Sequence, residues 1–192
     1  EIPQDMVEEA QEARQEMLEA ISMYSDELME LLLSEEEISE ELIHQVTKSA
    51  VQNLDFTPVY LGTAFRNKGV QPLLDAVVNY LPAPMDREKT AMGHDNPEEK
   101  VPLAVDTEAP FVGMAFKLVD DPYGQLTFMR IYQGKIEKGQ QYFNQRTGRK
   151  QRFSRILRMH SDKREEIDQA DAGDIVAIMG IDAASGDTYA QE

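Results

Sequence analysis

Residues 56–81 constrain this chain more than any other stretch. Phe56-Thr57-Pro58-Val59-Tyr60-Leu61 is a short apolar run that ends at Gly62. A small polar loop follows, and Gly69 and Pro72 then open a segment carrying Leu73, Leu74, Val77, Val78 and Leu81 at helical spacing. The order reads strand, loop, helix. In open α/β sheets ligands bind beyond the carboxyl ends of parallel strands. Gly62 and Ala64 would leave bare backbone N–H groups there to face one. A parallel strand needs parallel neighbours, yet residues 1–55 read as helix throughout. The expectation is therefore the last strand of a sheet whose other strands are not in this chain, and so a piece of a larger protein. The start, Glu1-Ile2-Pro3, lacks Met, as a piece would.

The helical lead-in shows one apolar stripe: Met6, Ala10, Ala13, Met17, Ile21, Tyr24, Leu28 and Leu31 recur every three or four residues. Ser25-Asp26 is a point where it can divide into two helices. Ser34 to Ser39 is a polar connection, and Ser39 reads as an N-cap with Glu40 and Glu41 in the following turn. Opposite the stripe stand Glu8, Glu12, Glu16 and Glu19, at spacings that stack them on one helix face. Two readings are open for this ridge, a solvated face or a docking face for a basic partner. His44 has no Asp or His near it at ligand spacing and reads as structural.

Residues 82–110 hold Pro82, Pro84, Pro97, Pro102 and Pro110 and lack periodicity, so an extended linker is expected, with room for a short edge strand near Leu103-Ala104-Val105. His94 beside Asp95 is too little for a metal site. From residue 111 onward the pattern changes to period two. Val112, Met114, Phe116 and Leu118 alternate, as do Leu126, Phe128, Arg130 and Tyr132 against Thr127, Met129 and Ile131. Turns are marked by Asp121-Pro122-Tyr123-Gly124, Arg146-Thr147-Gly148-Arg149 and Asp171-Ala172-Gly173-Asp174. Short strands at this spacing predict a sandwich or a closed barrel over 111–192.

The net charge of −17 is unevenly placed. Residues 1–57 hold 16 acidic and 2 basic residues, whereas 109–192 hold 12 of each, so the acidity belongs to the helical lead-in. Within the second half a basic cluster stands out: Arg146, Arg149, Lys150, Arg152, Arg155, Arg158, Lys163 and Arg164, with Asp162 the only acid among them. Lys150 to Met159 reads as one strand, which would put Lys150, Arg152 and Arg158 on one face. Such a face is either solubilising or a contact for a phosphate backbone, which needs positive charge and no base code.

Several stretches carry a resemblance. Gly62-Thr63-Ala64-Phe65-Arg66-Asn67-Lys68-Gly69-Val70-Gln71, with Leu74-Asp75-Ala76-Val77 and Tyr80-Leu81-Pro82-Ala83-Pro84 after it, resembles the fifth guanine-nucleotide motif and following helix of the bacterial elongation factor G family. That family usually has Ser where Thr63 stands, a swap that keeps the hydroxyl. Glu1-Ile2-Pro3 through Glu27-Leu28-Met29-Glu30 is similar to part of the helical insertion in the family's GTPase domain. Arg130-Ile131-Tyr132-Gln133-Gly134-Lys135-Ile136-Glu137-Lys138-Gly139 and Ala172-Gly173-Asp174-Ile175-Val176-Ala177 resemble the second domain of translational GTPases. His160-Ser161-Asp162-Lys163-Arg164-Glu165-Glu166-Ile167 is closer still to elongation factor G.

The resemblance implies a multi-domain α + β chain. Residues 1–81 would be the C-terminal part of an α/β GTPase domain with its helical insertion, 82–110 a linker and 111–192 an all-β translation-factor barrel. It implies a parent that hydrolyses GTP with Mg²⁺ while driving ribosomal translocation in the cytoplasm. Gly62, Thr63, Ala64 and Phe65 would be the guanine loop of that complete protein. Arg146, Arg149, Lys150, Arg152 and Arg158 would face ribosomal RNA, and Glu8, Glu12, Glu16 and Glu19 the ribosomal stalk protein.

The chain by itself lacks the chemistry. A phosphate loop needs Gly-x-x-x-x-Gly-Lys-Ser/Thr, but Gly134-Lys135 is followed by Ile136 and has no upstream Gly in place. Asp121-Pro122-Tyr123-Gly124 fits the Mg²⁺-side pattern yet sits in a barrel turn, and Asn67-Lys68 is followed by Gly69-Val70 rather than by the base-reading Asp. No cysteine is present, so disulfides and thiolate metal sites are excluded. No apolar run reaches membrane-spanning length. The expectation is that this chain alone neither binds nor hydrolyses GTP, with no cofactor of its own. The competing class is a noncatalytic interaction module, an acidic helical hairpin joined to a small barrel. A phosphate loop encoded a domain's length upstream of Glu1 separates the two. The unpaired edges of the orphan strand would invite domain swapping or dimerisation.

Overall fold

A computed structural model of the chain describes residues 2–93, 96–122 and 124–191. His94 and Asp95, and Tyr123 of the barrel turn, lie outside the described residues. The chain divides into two compact units, Glu1–Pro82 and Ala83–Glu192.

The first unit is helical. A single turn at Gln4–Met6 leads into α1 (Val7–Ser22), followed by α2 (Asp26–Leu33) and α3 (Glu40–Gln52). A second single turn at Ala64–Arg66 precedes α4 (Val70–Tyr80). The Ser25 hydroxyl accepts from the Leu28 N–H at 3.3 Å and the Ser39 hydroxyl from the Leu42 N–H at 3.2 Å, so both serines cap the helices they precede. The core of this unit is small: Ile21, Leu28 and Val46, with Ile38, Leu42, Ile43 and Phe56 packed against them. The apolar stripe expected along α1 is buried only at its end. Met6 and Met17 are exposed, whereas Leu18, outside that stripe, is buried beside Ile21. His44 is structural: its Nδ1 is hydrogen-bonded to the Tyr80 hydroxyl across α3 and α4. Burial and the Tyr60 hydroxyl together push the Tyr80 phenol up to about 12.

The expected strand at 56–61 does not form. The segment is irregular up to Gly62, and Val59 and Leu61 are 83% and 92% exposed. A lone run cannot satisfy a ladder of backbone groups without neighbours to pair with. The strand edge expected to attract a second copy is therefore not built as a strand. In α4, Ala76 and Tyr80 are buried while Leu73, Leu74, Val77 and Val78 are exposed. The helix thus carries more apolar surface than this chain covers.

The second unit is β. β1 (Lys89–Met92) and β2 (Lys100–Leu103) pair antiparallel within the stretch expected to be an extended linker with room for a short edge strand near Leu103-Ala104-Val105. Pro102 is tolerated there because β2 is an edge strand of a two-stranded ribbon. The remaining strands are β3 (Val112–Asp121), β4 (Gly124–Gln133), β5 (Lys135–Glu137), β6 (Gln141–Asn144), β7 (Arg149–Arg152), β8 (Arg155–His160), β9 (Lys163–Ile167), β10 (Gln169–Asp171), β11 (Ile175–Met179) and β12 (Thr188–Ala190). Eight of them make one antiparallel sheet in the order β7-β6-β12-β3-β4-β11-β8-β9, and β5 pairs with β10. β7 lies at one edge and β8 next to the other, yet only Phe153 and Ser154 join them. The sheet must therefore curl round on itself, as in a closed barrel.

The enclosed core holds Phe111, Met129, Ile131, Ile136, Tyr142, Phe153, Ile156, Val176, Ile178 and Tyr189. Aromatic rings run through it, with centroids 4.8 Å apart for Phe111 and Tyr142, 4.7 Å for Tyr142 and Phe153 and 5.5 Å for Phe153 and Tyr189. In β3 the inward positions are Gly113 and Ala115, not the larger Val112 and Met114. A β-carbon at Gly113 would stand 2.7 Å from the Phe111 ring, so the bulky ring takes the volume. A bulge between Ala115 and Lys117 then changes the register, and Leu118 packs against the core.

Candidate functional sites

The loop after Gly62 is closed by Thr63 and Lys68. The Thr63 N–H donates to the Lys68 carbonyl at 2.9 Å and the Lys68 N–H returns to the Thr63 carbonyl at 3.2 Å. Between them the Arg66 N–H bonds the Thr63 carbonyl and the Asn67 N–H the Ala64 carbonyl. The N–H groups of Ala64 and Phe65 have no backbone acceptor among the described residues, as expected for the opening turn of a helical segment. Phe65 is fully exposed. The loop thus presents two adjacent donors beside an unburied ring and no charged side chain at those two positions. That arrangement suits an uncharged carbonyl acceptor on a planar ligand.

The acidic ridge lies on α1. Glu8, Glu12, Glu16 and Glu19 are all exposed. Among the described residues only Glu19 has a side-chain partner, the Gln15 amide at 3.1 Å. None of the four is in an ion pair among the described residues. The helix has no buried side chain before Leu18, so its early turns offer the ridge unobstructed.

The basic cluster does not form one strand. The chain breaks at Phe153–Ser154, because Phe153 turns into the core and is wholly buried. Lys150 and Arg152 are on β7, with Arg149 at its start, whereas Arg158 is on β8 near the other edge of the sheet. All four are exposed. The Arg152 Nε donates to the Gly139 carbonyl at 2.9 Å, and Arg158 lies 4.0 Å from Glu165 across the β8–β9 ladder. Arg155 faces Glu166 at 3.4 Å, which also holds Lys138 at 2.6 Å.

Arg146 is placed differently from its neighbours. Its Nε and Nη2 donate to the two carboxylate oxygens of Asp187 at 2.5 and 2.9 Å. Asp187 is 3% exposed. Its carboxylate also accepts from the Asn144 side-chain amide and the Ala184 N–H, both at 2.9 Å. The Arg146 guanidinium, helped by the Ala184 N–H and the Asn144 amide and opposed by burial, holds the Asp187 carboxyl down to about 2. Sequence reading missed Asp187. It lies 41 residues from Arg146, and no local pattern joins positions that far apart. Among the described residues no group of three or more His, Asp or Glu could hold a metal ion.

The chain has relatives among known proteins. Residues 124–190 match the family model for elongation factor Tu domain 2. Elongation factor G of Rhodopirellula baltica is 62% identical over the whole chain, which covers 28% of that protein. Elongation factor G 1 of Desulfotalea psychrophila is 49% identical over the whole chain, again covering 28%. A crystal structure of a Thermus thermophilus protein superposes with a TM-score of 0.71 at 27% identity, covering all of this chain and 26% of that one. The barrel is thus of the class that serves as the second domain of translation factors. Over its whole length the chain is similar to members of the elongation factor G family, and it spans just over a quarter of the length of the curated relatives it matches.

Proposed function

We propose that this chain is the part of a ribosomal translocation GTPase that supplies the last guanine-contact loop and two ribosome-facing surfaces in the elongation step of protein synthesis. The whole-length identity of 62% to an elongation factor G carries this reading. The residues fit a guanine nucleotide at one point: the N–H groups of Ala64 and Phe65, which have no backbone acceptor among the described residues, can donate to the carbonyl of the base. Bound GTP with Mg²⁺ would bring the phosphoanhydride whose hydrolysis drives the complete factor. The phosphate loop and Mg²⁺-side motifs for it are not in this chain. The chain's own contribution is to hold two donors in a loop closed by the Thr63–Lys68 backbone pair.

The exposed basic residues Arg149, Lys150, Arg152 and Arg158 are proposed to touch ribosomal RNA, where phosphates need charge and reach but no base code. The ridge on α1 is proposed to meet the stalk protein. Replacing Lys150, Arg152 and Arg158 together by Glu in the complete factor should weaken ribosome binding and flatten its dependence on salt, because fewer counterions are released. Binding that is unchanged across a salt series removes these side chains from the contact.

A further inference from the structure

We infer that the loop of residues 182–187 is a clamp that sets the basic hairpin 144–152 for phosphate contact, with Asp187 and Arg146 as positioning residues rather than as RNA contacts. The inference rests on the ribosomal RNA reading above and deepens it. The clamp grips at two places. At the turn, the Asp187 carboxylate receives both arms of Arg146 and the Asn144 amide. Asn144 passes the restraint to the backbone: its side-chain oxygen accepts from the Thr147 N–H at 3.0 Å and its carbonyl from the Gly148 N–H at 2.9 Å. Along β7, the Gln151 amide donates to the Asp182 carbonyl at 2.7 Å and accepts from the Asp182 N–H at 3.0 Å.

Both grips are needed for a geometric reason. β7 is an edge strand, paired among the described residues only with β6. Without the clamp, Arg149, Lys150 and Arg152 would ride on a four-residue strand held from one side. Burying the Asp187 carboxylate is costly in itself even with the half-exposed Arg146 as its partner, so a role in fixing the hairpin's placement accounts better for its presence. The chemistry also separates Arg146 from its neighbours. Two of its five N–H donors, at Nε and Nη2, are taken by the buried carboxylate, so a phosphate would meet only those that remain.

The test uses the complete factor, with ribosome affinity measured over a salt series and amide hydrogen exchange followed in parallel. Asp187→Asn keeps the shape of the buried group. Gln151→Ala cuts the second grip without touching the buried pair, and so remains informative if Asp187→Asn folds poorly. Each is expected to lower affinity about three- to tenfold with an unchanged slope of log affinity against log salt. Exchange should quicken at Thr147 and Gly148 while Met129 and Ile178 stay protected. Removing a negative charge beside a phosphate contact would by itself strengthen binding, so a loss in Asp187→Asn is a positioning effect. Arg146→Gln should likewise leave the slope unchanged, whereas Lys150→Ala with Arg152→Ala should lower it by about one per cation lost. Full affinity in Asp187→Asn and Gln151→Ala despite faster exchange overturns the clamp and spares the RNA reading. A slope lowered by about one in Arg146→Gln makes Arg146 a direct contact and also overturns it. Unchanged affinity and slope in the Lys150 and Arg152 variant overturns the RNA reading itself.

Discussion

A β-carbon on Gly69 would stand 2.8 Å from the Cα of Gly62 and 2.6 Å from the Leu61 carbonyl oxygen. Two backbone segments are pressed together at the neck of the 63–68 loop, and Gly69 also has φ +76°. Gly69→Ala meets both the contact and the left-handed backbone, each worth on the order of 1 kcal/mol or more. The variant should open the Thr63–Lys68 closure and weaken GDP binding by the complete factor. Equilibrium dialysis against labelled GDP reads this out, and an affinity equal to the parent's would show that the neck does not govern the donors.

Asp187 supplies a pH prediction. Its carboxyl sits at about 2 in the folded barrel against an ordinary 3.8. The folded value is the lower one, so the stabilisation is fully present above about pH 4 and is lost as pH falls through the folded value. A shift of that size corresponds to about 2 kcal/mol. Denaturant midpoints of the barrel should therefore fall between pH 4 and pH 2, and Asp187→Asn should show a lower midpoint with a shallower fall. Parallel curves for the two proteins would remove Asp187 as the cause.

The two units should differ in stability. The barrel has an enclosed core and eight strands in one sheet. The helical unit has a small core around Ile21, Leu28 and Val46 and an α4 with Leu73, Leu74, Val77 and Val78 exposed. On heating, amide signals of α1 to α4 should vanish before those of β4 and β11. Limited proteolysis should cut first between Met85 and Ala109. Loss of the barrel signals first would contradict this ordering.

The acidic ridge predicts a kinetic effect. The repulsion among Glu8, Glu12, Glu16 and Glu19 costs a few tenths of a kcal/mol per pair, roughly, and a basic partner would relieve it and gain on-rate by steering. Replacing Glu12, Glu16 and Glu19 by Lys in the complete factor should slow association with the ribosome. The defect should shrink as salt rises while the circular dichroism spectrum is kept. Equal association rates at every salt concentration would make the ridge a solvated face and nothing more.

Much of this molecule is decided by local rules that sequence alone carries. Ser25 and Ser39 cap helices because a hydroxyl before a helical run satisfies a free N–H wherever the rest of the chain lies. The turns at Arg146–Arg149 and Asp171–Asp174 and the acidic ridge follow from residue type and spacing in the same way. The Gly62–Gly69 loop was legible because its glycines mark it. Other outcomes depended on partners distant in the chain. The run at 56–61 has a strand's composition and no strand to pair with, so it is not one. The arginine-rich stretch splits because the core takes Phe153, and β3 turns Gly113 inward because the Phe111 ring already fills that space. Arg146 reads as one more surface cation until the fold brings Asp187 beneath it. Caps and turns are short-range equilibria that a few residues determine. Burial, register and charge pairing are set by which distant groups compete for the same volume, and only the folded chain resolves that competition.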